Sequence, residues 1–136
     1  MRSENLEVRK DEAPQEIGER AFAFAVRVMK LCQTLDARPG PPRTLSNQLL
    51  RSATSVGANL QESKGAQSRA DFLSKVSIAL KEARETHYWL RLLIAADIVP
   101  VVQLSPLLDE ANQLVAILTT IVKKVKGANL ELRSGK

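Results

Sequence analysis

Hydrophobic positions recur along this chain at intervals of three and four residues in four separate segments. This spacing places side chains on one face of an α-helix. The pattern predicts helices at about residues 14–37, 43–64, 68–98 and 105–126. Short connections between long amphipathic helices favour neighbours that run in opposite directions. The sequence therefore predicts an all-α protein, an antiparallel up-down-up-down four-helix bundle.

Proline, glycine and capping residues mark the ends of these segments. The proline-rich stretch 38–42 is expected to end the first helix. Ser68 and Asp71 resemble a capping box at the start of the third helix. Gly65 and Gly127 are expected to end the second and fourth helices.

The length of 136 residues suits one domain with one core. We expect a bundle at residues 14–126, between flexible tails at residues 1–13 and 127–136. The predicted core stripe of the first helix is Ile17, Ala21, Phe24, Val28, Leu31 and Leu35. The stripe of the second is Leu45, Leu49, Ala53, Val56 and Leu60, and that of the third is Phe72, Val76, Ala79, Ala83, Thr86, Leu90 and Leu93.

Two helices carry more apolar residues than one bundle core needs. The additional residues are Phe22, Ala25, Met29 and Cys32 on the first helix, and Leu73, Leu80 and Ile94 on the third. A second buried surface accounts for them, so we predict self-association. The alternative is a wide core in a monomer.

The second helix also carries a polar stripe beside its apolar one. The stripe contains short amide and hydroxyl side chains, which make directed hydrogen bonds, rather than the lysines and glutamates of an ordinary solvated face. Its predicted network is Gln48, Arg51, Ser55, Asn59 and Glu62, joined by Glu82 or Glu85 of the third helix. Such a network lies either at a subunit interface or ligand-binding surface, or inside one bundle, where it fixes helix register.

Catalytic and metal-binding patterns are absent from the sequence. The single histidine, His87, cannot supply the two Glu-x-x-His pairs of a di-iron bundle. The single cysteine, Cys32, lies on an apolar helix face and is expected to pack in the core. We therefore expect no catalytic residue, cofactor or metal, and no enzyme activity. The N-terminal segment lacks the apolar run of a secretory signal, and no apolar run is long enough to span a membrane, so we expect a cytoplasmic protein.

The residues of the polar stripe carry a resemblance to a known family. The matching block is Leu45, Gln48, Arg51, Ser52, Ala53, Ser55, Asn59 and Glu62, and a second block comprises Phe72-Leu73 and residues 78–93. With these blocks the chain resembles the four helix bundle protein family, also described as proteins encoded in intervening sequences of 23S rRNA genes. The resemblance extends over roughly residues 22–125.

The resemblance implies an antiparallel four-helix bundle that assembles as a homopentamer. A related branch serves as accessory protein of diversity-generating retroelements, where a basic pentamer engages reverse transcriptase and RNA. The resemblance thus implies that the chain associates with copies of itself. It further implies RNA or DNA and a reverse transcriptase as partners.

The formal net charge of +5 is compatible with an acidic partner. The leading hypothesis is a non-enzymatic homo-oligomeric scaffold or adaptor that binds nucleic acid or a ribonucleoprotein. Its candidate contacts are Arg43, Arg51, Lys64, Arg69, Lys123, Lys124 and Lys126. The alternatives are that these cations only complement helix ends and keep the surface soluble, and that the protein is an interaction module without nucleic-acid binding.

Overall fold

The computed structural model describes the backbone of residues 13–134 and the side chains of residues 17–128. Four helices account for most of this part of the chain, which contains no strand. They are α1 (Ala13–Asp36), α2 (Pro41–Ser63), α3 (Arg69–Ala95) and α4 (Val101–Ser134). The all-α four-helix prediction is confirmed. Residues 1–12 of the predicted N-terminal tail lie outside the described residues.

Each helix packs on the helices next to it in the chain, and α1 also contacts α4, though less extensively. The four contacts close a ring of neighbours, so α1 and α3 occupy diagonally opposite corners. Particular pairs define the packing: Cys32 of α1 contacts Ser46 of α2, whereas Gly57 of α2 lies against Ala21. No helix within residues 13–134 has an apolar stretch long enough to cross a lipid bilayer.

One hydrophobic core runs through the bundle, and the predicted stripes supply most of it. All six predicted core residues of α1 are buried, and on α2 and α3 only Leu45 and Phe72 are half-buried rather than buried. The fourth helix contributes a stripe of its own, Leu104, Leu107, Ala111, Leu114, Leu118 and Val122. The hydrophobic effect of burying these stripes stabilises the fold.

Capping explains why α3 begins and ends where it does. The predicted cap at Ser68 is confirmed, since its hydroxyl accepts a hydrogen bond from the Asp71 N–H at 3.0 Å. The helix ends at Ala95, three residues before the predicted end, because Asp97 takes a positive φ of 59°. Aspartate tolerates this left-handed conformation, and the Ile98 N–H then bonds to the Leu93 carbonyl at 3.0 Å.

The predicted glycine stop of α4 is wrong, whereas α2 ends at Ser63, one residue before its predicted end and next to the turn that contains Gly65. A glycine stop uses a positive φ, and among the described glycines only Gly40 has one. After Ser63 the chain makes a tight turn, in which the Gly65 N–H bonds to the carbonyl of Glu62 three residues back, so Gly65 follows α2 without a positive φ. The fourth helix passes through Gly127 to Ser134, so that most of the predicted C-terminal tail is helical.

The predicted start of α4 is also wrong. The helix begins at Val101, directly after Pro100, whose carbonyl accepts from the Gln103 N–H at 3.1 Å. Pro106 therefore lies inside the helix rather than at its start, and it lacks the N–H that would bond to the Val102 carbonyl. Val102 is 79% exposed, so water has access to this part of the helix surface.

The extra apolar residues of the two helices do not form one surface. Cys32 and Leu80 are buried in the core, and Leu73 and Ile94 are half-buried against it. On α1, by contrast, Phe22 is 71% exposed, Met29 47% and Val26 38%. These three residues follow helical spacing and form one outward stripe, which we call the apolar α1 face.

Candidate functional site

Arg51 of the polar stripe links α2 to α3. Its Nη1 donates to Glu82 Oε1 at 3.2 Å, and its Nη2 donates to Glu85 Oε2. The hydrogen bond to Glu85 raises the pKa of the Arg51 guanidinium, and the nearby charges of Glu85 and Glu82 add to this effect. We call these three residues the Arg51 bridge. It joins two helices of the same subunit.

The Arg51 bridge continues into the aromatic residues of α3. Glu85 Oε2 also accepts a hydrogen bond from Trp89 Nε1 at 3.1 Å. The Trp89 ring meets the neighbouring Tyr88 ring edge-on, with ring centroids 5.2 Å apart and an interplanar angle of 69°. An edge-to-face arrangement at this separation is favourable for aromatic rings. The guanidinium of Arg51 is thus connected through Glu85 and Trp89 to Tyr88, which is 52% exposed.

The other residues of the predicted network do not join the Arg51 bridge through their side chains. Ser55 Oγ donates to the Arg51 carbonyl at 2.8 Å, and Asn59 Nδ2 donates to the Ser55 carbonyl at 2.9 Å, so both bond to their own helix. Glu62 forms a separate pair with Lys75 of α3 at 3.1 Å. Gln48 is exposed, and no hydrogen bond joins it to another described residue. The stripe is a series of local contacts.

A buried polar pair that the sequence did not reveal lies next to the Arg51 bridge. Thr86 Oγ1 is 2.8 Å from Ser52 Oγ and 2.8 Å from the Glu82 carbonyl, and both hydroxyl residues are fully buried. Ser52 Oγ in turn donates to the Leu49 carbonyl at 3.3 Å. Each hydroxyl therefore has a partner, as buried polar groups require. The sequence did contain a signal for this pair, because helical spacing places both Ser52 and Thr86 on the core-facing sides of their helices.

Five of the seven cationic candidates lie toward the same end of the bundle. The Lys64 side chain extends to the first turns of α1, where its ammonium group lies against Gly18. Arg69 and Lys124 line one open groove, together with Phe72, Val125 and Ala128. Lys123 and Lys126 are exposed within the same turn of α4 as Lys124. These five cations, which we call the end cluster, gather where α2 ends, α3 begins and the described side chains of α4 end.

Arg43 and Arg51 do not belong to the end cluster. Arg43 lies near the opposite end of α2, where its Nε donates to the Asp36 carbonyl at 2.9 Å. Arg51 is already paired with Glu82 and Glu85. Its charge is therefore balanced within the bundle.

A second group of cations was not a candidate from the sequence. Between residues 74 and 91, every exposed residue of α3 belongs to one outward stripe: Ser74, Ile78, Lys81, Arg84, Tyr88 and Arg91. We call it the cationic α3 face. It contains three cations and no carboxylate, because Glu82 and Glu85 of the same helix point to the Arg51 bridge. The signal in the sequence is the spacing of Lys81, Arg84 and Arg91 at helical intervals.

Cys32 and His87 both lie in surroundings that favour packing over chemistry. Cys32 is buried, its Sγ lies 3.5 Å from the Ser46 carbonyl, and burial raises the pKa of its thiol. The expectation that it packs in the core is confirmed. His87 is half-buried, and its burial, followed by the charge of Arg91, lowers the pKa of its imidazole. Among the described side chains, no group of three histidine, cysteine or acidic residues could hold a metal ion.

The fold and these surfaces define a four-helix bundle protein with a polar bridge between α2 and α3 and with cationic surfaces. The family model described as 23S rRNA-intervening sequence protein matches residues 14–120. The chain belongs to this family, which confirms the resemblance drawn from the polar stripe.

A solved structure gives the same result independently. It is described as a protein of unknown function from the S23 ribosomal protein family of Bacteroides thetaiotaomicron, and it is 38% identical to this chain. The alignment has a TM-score of 0.75 and covers 82% of this chain and 98% of the other. No curated protein matches the chain.

Proposed function

We propose that this protein is a non-enzymatic, homo-oligomeric scaffold or adaptor that binds nucleic acid or a ribonucleoprotein in the cytoplasm. The subunit is an antiparallel up-down-up-down bundle. The contact pairs support this topology, because late residues of α2 meet early residues of α1 and of α3, as in the pairs Gly57–Ala21 and Glu62–Lys75.

The observation that carries the proposal is the end cluster. Five cations, Lys64, Arg69, Lys123, Lys124 and Lys126, come from the end of α2, the start of α3 and the last described side chains of α4, and the groove between Arg69 and Lys124 has an apolar floor that includes Phe72. Cations on flexible side chains attract phosphates regardless of sequence. An apolar floor between them can accept a ribose or base. Arg43 and Arg51 were candidates for the same role, but their side chains are engaged within the subunit.

The apolar α1 face supports the homo-oligomeric part of the proposal. Covering its three large side chains removes apolar surface from water, which lowers the free energy and favours association. A second copy of the chain can cover them in a ring, and the pentamer implied by the family resemblance is the number we propose. A ring repeats the end cluster once per subunit and multiplies the positive field.

A second candidate function rests on the same apolar face. Phe22, Val26 and Met29 also suit the surface of a different protein, which makes the chain an interaction module without nucleic-acid binding. A reverse transcriptase that carries its own RNA is compatible with either candidate, since it offers both a protein surface and phosphates.

RNA binding measured over a range of salt concentrations tests the proposal. We expect binding at low salt that weakens steeply as salt is added, because phosphate contacts release counterions. A Lys123→Gln/Lys124→Gln double variant should reduce both the affinity and the salt dependence. The Arg27→Gln/Lys30→Gln variant, which removes two exposed charges of α1, is the matched control. No binding by the wild type at low salt contradicts the proposal and favours the interaction module.

A further inference from the structure

The cationic α3 face has the properties of a contact surface for a nucleic-acid strand. Its charged members are Lys81, Arg84 and Arg91, and none of them forms an ion pair with a described residue. A helix rises about 1.5 Å per residue, so these cations extend over roughly 15 Å along one side of α3. The face is open to solvent along that length.

The helix separates its charges by side. Glu82 and Glu85 lie toward α2, where Arg51 binds both carboxylates. Lys81 and Arg84 are their neighbours in sequence, but they point outward. These two carboxylates therefore face Arg51 of α2, whereas the three outward cations of α3 pair with no carboxylate among the described residues. This separation favours an anionic partner with several charges.

Tyr88 distinguishes this face from a merely soluble surface. Its ring is 52% exposed and stands between Arg84 and Arg91 on the same stripe. One side of the ring is supported by Trp89, whose indole is fixed by its hydrogen bond to Glu85. A supported, exposed aromatic ring between cations is the arrangement on which unpaired bases stack while the backbone phosphates meet the cations.

We infer that the cationic α3 face binds single-stranded nucleic acid, with Lys81, Arg84 and Arg91 on phosphates and Tyr88 stacking on a base. The inference deepens the proposed function, on which it rests, by adding a second surface and by specifying an unpaired strand. The Arg51 bridge then has a role outside the core, since it holds Glu85, and through Glu85 the indole of Trp89 that supports Tyr88. Duplex RNA buries its bases, so it can use the cations but not the tyrosine.

Two variants test the two parts of this surface with fluorescent oligouridylate as the probe. Arg84→Gln/Arg91→Gln should lower the slope of log affinity against log salt by about 1.4, at roughly 0.7 per phosphate contact. Tyr88→Ala should weaken binding roughly five- to a hundredfold without changing that slope, as loss of a base stack does. Tyr88→Phe keeps the ring and should bind like the wild type. Arg27→Gln/Lys30→Gln is again the control for charge.

The outcomes separate this inference from the proposed function. Binding by the wild type that neither α3 variant changes overturns the inference and leaves the end cluster as the binding surface. An equal effect of Tyr88→Ala and Tyr88→Phe, or an effect of Tyr88→Ala on duplex RNA as large as on oligouridylate, overturns the stacking role. Absence of binding by the wild type to either RNA overturns the proposed function itself. Thermal melting of each variant shows whether the fold is intact.

Discussion

The outward faces of α1 and α3 occupy opposite corners of one bundle and have opposite chemistry. The apolar α1 face presents Phe22, Val26 and Met29, whereas the cationic α3 face presents, around Tyr88, three cations that form no ion pair with a described residue. Both helices bury an equivalent core stripe on their inner side. The difference therefore concerns partners rather than folding. Because the faces are diagonal, a protein can cover the first while the second stays open to nucleic acid.

The inner sides of the two helices differ as well. The contact between α2 and α3 contains the fully buried Ser52–Thr86 pair and, at its edge, the Arg51 bridge. The contact between α1 and α4 includes a different arginine, since Arg20 donates to Glu110 and Gln113 at 2.8 Å each. The hydrogen bonds between α2 and α3 fix the rotation of α3 about its axis, and they therefore determine which of its residues face outward. Each of the following predictions separates one face from the other.

The largest effect is expected from charging the apolar α1 face. A Phe22→Glu/Met29→Glu variant should dissociate the oligomer to monomers, because a buried carboxylate without a partner is costly. Light scattering after size exclusion gives the mass. The dissociated subunit should remain folded, with the helical circular dichroism spectrum of the wild type, since both residues are exposed in it.

The matched control for that variant is Asn112→Glu/Ala116→Glu, which adds the same charge to an exposed side of α4. It should keep the wild-type mass. Equal dissociation in both variants would show that added charge alone disrupts the assembly, and it would remove the special role of the α1 face.

The next largest effect concerns the buried pair behind the α3 face. Thr86→Val removes the hydroxyl that contacts Ser52, and it should cost roughly 1–2 kcal/mol of unfolding free energy, measured by urea denaturation. Thr119→Val on α4 is the control, because the Thr119 hydroxyl is half-buried and bonds only to the Val115 carbonyl of its own helix, at 2.7 Å. A loss no greater than that of the control would mean that the interhelical pair contributes nothing.

A smaller effect is expected when the Arg51 bridge is broken. The Arg51 side chain is 48% exposed, so its ion pairs are screened by solvent. Arg51→Gln should cost at most about 0.5–1 kcal/mol, and added salt should reduce the difference from the wild type. Oligouridylate affinity should fall too, while the mass stays constant, since Glu85 loses its cation. If Arg51→Gln binds oligouridylate with the affinity of the wild type, the Arg51 bridge does not support the position of Tyr88.

The smallest effect is a pH dependence at the edge of the α3 face. The pKa of His87 is lowered in the folded protein, so the unfolded chain binds the proton more tightly. Stability from this group is therefore complete above the unfolded pKa and is lost as the pH falls below it toward the folded pKa. His87→Gln should flatten the loss of melting temperature between neutral and mildly acidic pH. An unchanged pH profile would assign that loss to other groups.

The spacing of apolar residues predicted the four helices and most of their buried faces. The helix ends depend on backbone φ angles, which residue type alone does not reveal. The stripe from Ile17 to Leu35 is buried as expected, because helical spacing and hydrophobic burial act together. Gly65 and Gly127 have the right residue type for a stop, but neither takes the positive φ that a stop uses. Asp97, which does take it, has no comparable signal in the sequence.

The candidate site was only partly predictable, for a reason of geometry. Arg51 and Glu85 could be paired in advance because each lies on a polar side of its helix. The cationic α3 face was missed because Lys81, Glu82, Arg84 and Glu85 alternate in sign along the chain, so their sequential charge cancels. The helical period then places the two cations outward and the two carboxylates toward α2.

The most direct test of the division between the two faces is analytical ultracentrifugation of the Arg84→Gln/Arg91→Gln variant with fluorescent oligouridylate. This one measurement reports the mass of the protein and the fraction of the strand that sediments with it. We predict the mass of the wild-type oligomer with strongly reduced strand binding. Loss of the oligomer in this variant would place the α3 face in a subunit interface and contradict the account.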